Sequence, residues 1–404
     1  MTPSNNSISY FARTNFRNKG IPVGIKQADR LSHMYVIGKT GTGKSTLLET
    51  LALQDIAHHR GMMLIDPHGD LAERVVRAVP AHRRQDVIYF NVPDPIQPFG
   101  YNPLKHVRED KITLAASGLM EAFKKMWPDA WGVRMEHVLR NTLLTLLEQP
   151  EATLGDILRL LDDKAFRSTA VARITNEQVR QFWITEYDHY PPRLRAEAIA
   201  PIQNKVGAFL ADPTLRRILT NPEKPLQIRR IMDEGKILIV NLARGQLGED
   251  TTSLLGALLI TTAALAAFSR AEVQAAERRP FFVYLDEFQS FTTRSLASMT
   301  AELRKYAVGV IASHQYMSQV EPQVIDAVLG NAGTIICFRL GPPDAMTMAR
   351  EFEPKLQATD LVNLPNHHIY LKLMIDGAPS QPFSAVTIPP NDLVAPILKA
   401  PDRQ

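Results

Sequence analysis

The residues Gly38 to Ser45 read GKTGTGKS and fit G-x-x-x-x-G-K-[ST] at every fixed position. An apolar stretch, MYVIG, precedes them, and STLLETLALQDIA follows. A strand that turns into a helix through glycines is the setting in which this spacing does chemistry. Gly41 and Gly43 let the backbone wrap closely around phosphates with its N–H groups turned inward. Lys44 can reach the β and γ phosphates, and the Ser45 hydroxyl can ligate Mg²⁺. The expected nucleotide-binding set is Gly38, Gly41, Thr42, Gly43, Lys44, Ser45 and Thr46, with ATP and Mg²⁺ as the ligands.

Hydrolysis needs an acidic partner on a second strand. FFVYLDEFQSF supplies one, with Asp286 and Glu287 at the carboxyl end of an apolar run. Ligands of open α/β sheets bind at that end. Asp286 is expected to hold Mg²⁺ with Ser45, and Glu287 to polarise the attacking water. MMLIDPHGD ends in Asp66, His68 and Asp70. Asp66 either orients metal-bound water or simply builds the turn. No Cys/His spacing suited to zinc surrounds His68. GVIASHQ ends in Gln315, whose amide can sense the γ-phosphate or position water. Arg304 and then Arg339 are the candidates for a cation reaching into a neighbouring subunit's site.

These residues must be carried by strands. Apolar β-type runs recur at 34–38, 62–66, 87–91, 236–242, 281–287, 309–315, 334–340 and 369–375, with helical stretches at 44–58, 251–271, 294–306 and 342–353. Runs apolar throughout suit parallel strands covered on both faces. The pattern predicts a doubly wound α/β core. Residues 105–232 lack convincing strands and show helical periodicity, as in MEHVLRNTLLTLLE. They are expected to form an inserted, mostly α-helical domain between core parts 1–104 and 233–404.

The chain has 404 residues, 45% of them apolar and 22% charged, which is ordinary globular composition. Its net charge of +4 permits a nucleic-acid partner without demanding one. With Cys337 as the single cysteine, no internal disulfide can form, and a cytoplasmic setting is expected. The most apolar run, Leu254 to Phe268, is shorter than a spanning helix needs and reads as a core helix. No signal-peptide pattern opens the sequence, so no direct membrane span is expected, and any membrane contact would run through partners.

The ordered set GKTGTGKST, LIDPHGDL, GKILIVNLARGQLGED, FVYLDEFQSF, ELRKYAVGVIASHQ and FRLGPPDA resembles the HerA/FtsK group of P-loop motors, and within it the TraG/TraD type of type IV secretion coupling proteins. The resemblance spans roughly residues 20–390. It implies a RecA-like motor with an inserted all-α domain, assembled as a ring of six that moves DNA through a central channel. It also implies Lys44 and Ser45 on nucleotide, Asp286 and Glu287 on Mg²⁺ and water, Gln315 as sensor and Arg304 as the finger in trans. Such coupling proteins usually carry amino-terminal transmembrane helices, whereas residues 1–33 here precede the first expected core strand and are polar at their start.

The leading expectation is an ATP-driven DNA translocase of conjugative transfer. The alternatives are a nucleotide-gated module that recruits relaxosome or secretion substrates, and a HerA-like repair translocase. The channel loops are expected at 243–250 and 288–294, with Arg244 and Arg294 on the DNA phosphates. Aromatic content is 7%, and no base-stacking platform stands out, which favours duplex or backbone-only contact.

Overall fold

The computed structural model describes residues 7–105, 107–127, 131–220 and 222–392. Eleven strands form one sheet: β1 (Ile8–Thr14), β2 (Pro22–Lys26), β3 (Met34–Ile37), β4 (Gly61–Asp66), β5 (Val87–Asn91), β6 (Ile237–Asn241), β7 (Phe281–Leu285), β8 (Val308–His314), β9 (Thr334–Cys337), β10 (His368–Lys372) and β11 (Phe383–Thr387). Their spatial order is β2-β1-β11-β10-β9-β3-β8-β7-β4-β6-β5. The seven from β9 to β5 run parallel, and the other four add antiparallel at one edge.

The parallel strands alternate their side chains between two apolar layers. Val36, Leu64, Ile239 and Tyr284 pack with Leu47, Leu48 and Leu51 of the helix Lys44–Ala57. Tyr35, Met63, Leu238 and Val283 pack on the opposite face against the helix Glu249–Ser269. Both faces are covered, so these strands can be apolar throughout. Each fully buried Val, Leu or Ile contributes about 1.5–3 kcal/mol of transfer free energy. The helix Glu249–Ser269 is long and apolar enough to cross a membrane, yet most of it is buried in this core. That agrees with its reading as a core helix.

All eight expected strands are present. The amino-terminal hairpin β1–β2 and the strand β11 were not expected. Their sequences, ISYFART, PVGIK and FSAVT, are short and carry polar residues. β1 and β11 pair across almost the whole length of the chain, a relation that local patterning cannot show. Beneath the hairpin, Asp55 takes both Arg30 Nη atoms at 2.7 and 2.9 Å, and Arg60 at 3.0 Å, all in the interior. Removing one member of such a buried ion group costs about 3–5 kcal/mol.

Between β5 and β6 the chain is mostly helical, from Ile112–Met126 through Pro192–Ala211 to Ile228–Glu234. A two-residue pairing of Phe99–Gly100 with Lys224–Pro225 joins the two ends of this segment. The helix Ile112–Met126 lies against Glu249–Ser269, with Gly118 facing Thr261 so closely that a Cβ would meet its methyl at 2.5 Å. The apolar layer on that sheet face therefore continues without a break into the helical segment, as far as Trp183 and Ile202.

Candidate active site

The P-loop turns from β3 into the helix Lys44–Ala57 with Gly41 at φ +75° and Gly43 at φ +120°. Side chains with a Cβ rarely adopt these angles, so the two glycines are required. The Lys44 ammonium folds back into the loop and donates to Gly38 O at 2.7 Å and Lys39 O at 3.3 Å. Burial lowers its pKa, while Glu287 and Asp286 act the other way. Thr42 Oγ1 donates to Lys39 O at 2.7 Å and braces the same turn.

β8 lies between the P-loop strand β3 and the acidic strand β7. This order brings all three carboxyl ends together. Ser45 Oγ donates to Asp286 Oδ2 at 3.1 Å, and Ser313 Oγ donates to Asp286 Oδ1 at 2.6 Å. Burial, then the neighbouring Glu287, pushes the Asp286 carboxyl above its usual range. Glu287 sits in the left-handed region at φ +49° and is 7% exposed. Non-glycine residues held at such angles concentrate at functional sites. Gln315 Nε2 donates to Glu287 Oε1 at 2.8 Å, and Thr40 Oγ1 of the P-loop donates to Gln315 Oε1 at 2.8 Å. Gln289 Nε2 holds the other oxygen, Oε2, at 2.6 Å. A hydrogen-bonded chain thus runs from the P-loop through Gln315 to Glu287.

The donor set fits a hard divalent cation. Asp286 is a buried carboxylate with the Lys44 ammonium as its neighbouring cation, and the Ser45 hydroxyl already touches it. Oxygen ligands of this kind, completed by phosphate and water, are what Mg²⁺ takes.

Asp66 resolves toward the turn. Its Oδ1 accepts the His68 N–H at 2.8 Å and its Oδ2 the Ala72 N–H at 2.9 Å, which closes the loop into the helix Asp70–Arg77. The two arginines proposed as fingers stand apart. Arg304 lies in the turn before β8, at the amino end of the sheet, exposed beside Ser32 and His33. Its own P-loop is at the opposite end. Arg339 lies beside the P-loop: its carbonyl accepts the Lys39 N–H at 2.9 Å, and its guanidinium donates to Leu364 O at 3.2 Å and Asn366 Oδ1 at 2.8 Å. Arg244 pairs with Glu249 at 2.5 Å and Arg294 with Glu321 at 2.5 Å, so each expected DNA contact has a carboxylate neighbour.

Three contributors were not singled out from the sequence. Ser313 stands two residues before Gln315, and its hydroxyl would have been legible as an inward neighbour on the same strand. His314 is buried, its Nε2 hydrogen-bonded to the Tyr35 hydroxyl and its ring against Phe288. Burial drives its pKa down to about 3, so it is neutral. Lys125, from the helical segment, donates to Gln289 O at 2.6 Å and Thr292 O at 2.8 Å, just beyond Glu287. No local signal pairs residue 125 with that turn.

The HerA helicase central-domain family matches residues 14–262. No curated protein matches the sequence. Among solved structures, the bacterial conjugative coupling protein TrwB without its first 70 residues is similar at 17% identity, with a TM-score of 0.66 over 92% of this chain and 87% of that one. TrwB in complex with ADP and Mg²⁺ gives 17% and 0.66 over 99% and 98%. VirB4 of Thermoanaerobacter pseudethanolicus gives 15% and 0.64 over 97% and 99%. At these identities the likeness speaks for the RecA-like α/β fold. The matched family covers more than half of the chain and includes the P-loop: this protein belongs to the HerA helicase central-domain family of P-loop NTPases.

Proposed function

We propose that this protein is a Mg²⁺-dependent ATPase that works as a ring, a hexamer by family resemblance, and moves DNA in conjugative, type IV secretion-linked transfer from the cytoplasmic side. The observation that carries the reading is the Thr40–Gln315–Glu287 chain beside the Ser45–Asp286 pair. It links the phosphate loop to a buried acid through an amide that can report which phosphate is present.

Each residue has a role. Gly38, Gly41, Thr42, Gly43 and Thr46 cradle phosphates, and Lys44 leaves its loop carbonyls to meet them. Ser45 and Asp286 would hold Mg²⁺, which supplies positive charge to the phosphate oxygens. Glu287 polarises the attacking water and takes its proton, and Gln315 and Gln289 fix the two Glu287 oxygens. Core parts 1–104 and 233–404 form the motor, and 105–232 the helical insertion, with Lys125 tying the insertion to the catalytic turn. Structures of TrwB with ADP and Mg²⁺ and with an ATP analogue support the choice of ligands.

Arg304, exposed and remote from its own P-loop, is the first candidate to enter a neighbour's site, and Arg339 the second. Mixed rings of R304A and E287Q subunits should regain hydrolysis, because some interfaces then pair an intact Arg304 with an intact Glu287. Rings that form but stay inactive at every ratio exclude this role for Arg304.

DNA should raise the ATPase rate with little dependence on sequence, and DNA affinity should fall steeply with salt. R244A and R294A should each lower the salt slope by about one counterion. A rate unchanged by any DNA in a confirmed oligomer would replace the motor with a nucleotide-gated recruitment module. Loss of plasmid transfer on deleting the gene supports the conjugative role, whereas DNA-damage sensitivity with transfer intact would favour the repair translocase.

A further inference from the structure

Gln315 and Glu287 mark one side of the P-loop, where β8 and β7 end. That is where a terminal phosphate and its attacking water must meet. A nucleotide lying across the loop then carries its base the opposite way, toward β9 and β10. The chain that precedes β10 stands there.

His367 is seated on the P-loop itself. Its N–H donates to Thr42 O at 2.8 Å, and a Cβ placed on Gly43 would lie 2.9 Å from its Nδ1. Its backbone is left-handed at φ +66°, an uncommon state for a residue with a Cβ. The surroundings over-determine that state. The His367 carbonyl accepts the Thr387 N–H at 2.9 Å and Thr387 Oγ1 at 3.2 Å, while Arg339 clasps Leu364 O and Asn366 on the same loop. The residue is nevertheless exposed. Strain that neighbouring contacts maintain around an exposed ring is a reason to look for a ligand.

We infer that His367 is the base-contacting residue of the nucleotide site, its imidazole taking the flat face of the base while the P-loop takes the phosphates. This rests on the nucleotide-binding reading above. Stacking reads a π-face that every base presents, so the contact adds affinity without selecting one base by its edge.

Calorimetric titration of the full chain with Mg²⁺-ATP and with Mg²⁺-tripolyphosphate separates the possibilities, since tripolyphosphate has the phosphates and no base. H367N keeps a residue that tolerates the left-handed backbone and removes the ring, and H367G releases the backbone altogether. Both variants should bind ATP about tenfold more weakly, the effect of losing one stacked base. Both should bind tripolyphosphate as the wild type does. Equal losses for the two probes would mean that His367 only braces the P-loop, and no loss for either would mean that the base lies elsewhere. Each of these overturns the assignment. Wild-type protein that binds neither probe would instead overturn the nucleotide reading itself.

Discussion

Two neighbouring parallel strands end in aspartate, and the two ends hold different partners. β4 stops at Asp66 and β7 is followed by Asp286, with Ile65 and Leu285 paired in register just before them. Both carboxyls are buried, and burial raises the pKa of each. Asp66 gives its oxygens to backbone N–H groups of its own turn. Asp286 takes hydroxyls from two other elements, Ser45 of the P-loop helix and Ser313 of β8. A backbone donor has nowhere else to go, whereas a hydroxyl can rotate and hand its place to a cation or water. The lesson is that the partner, more than burial or strand position, separates a structural aspartate from a chemical one.

Of the two aspartates, Asp286 carries the larger effect. D286N keeps an acceptor for Ser313 and loses the charge that would hold the metal. Hydrolysis should drop by about 10²–10³-fold, the scale of losing one key electrostatic contact. Its stability should move the other way. Asp286 binds its proton more tightly folded than unfolded, so its ionised form weakens the fold as pH rises above the ordinary carboxylate range. D286N should therefore unfold at equal or higher urea than wild type at pH 7, with the gain vanishing in acid below that range. Paired turnover and urea curves check both halves, and a large stability loss in D286N would make Asp286 structural like Asp66.

The smaller effect falls on Asp66. D66A leaves the His68 and Ala72 N–H groups without their acceptor. A buried unsatisfied donor costs about 1–3 kcal/mol, which applies in full to the Ala72 N–H and only in part to the half-exposed His68 N–H, so stability should fall by about 1–4 kcal/mol in urea titration. Turnover per folded molecule should change far less than in D286N. A hundredfold loss of turnover in a stable D66A protein would restore Asp66 to the metal's neighbourhood.

Much of this site was legible because P-loop chemistry is local. Gly38 through Thr46 are contiguous, and each Asp286-type residue announces itself at the end of an apolar strand. The strands β7 and β8 are consecutive in the chain and adjacent in the sheet, so Gln315 ends beside Glu287, although the sequence did not show that order. What stayed hidden depends on distance along the chain. The β1–β11 pairing joins residue 12 to residue 387, and the Lys125 clasp joins the helical segment to residues 289 and 292. His367 was missed for a different reason. It lies in a loop, and although histidine enters the left-handed region more readily than most residues, that preference does not single out one of eleven histidines. The continuous apolar layer between the sheet core and the helical segment also could not be read from periodicity, which shows a buried face but not what covers it.

Glu287 is proposed to activate water in a site assembled by β3, β7 and β8. E287Q keeps the side chain's shape and one carbonyl acceptor while removing the carboxylate. Phosphate release and ATP binding measured on the same preparation test the claim directly. ATP binding should stay within about threefold of wild type, with turnover lower by about 10²–10⁴-fold, the contribution of a positioned general base. Turnover close to wild type with binding intact would contradict the claim.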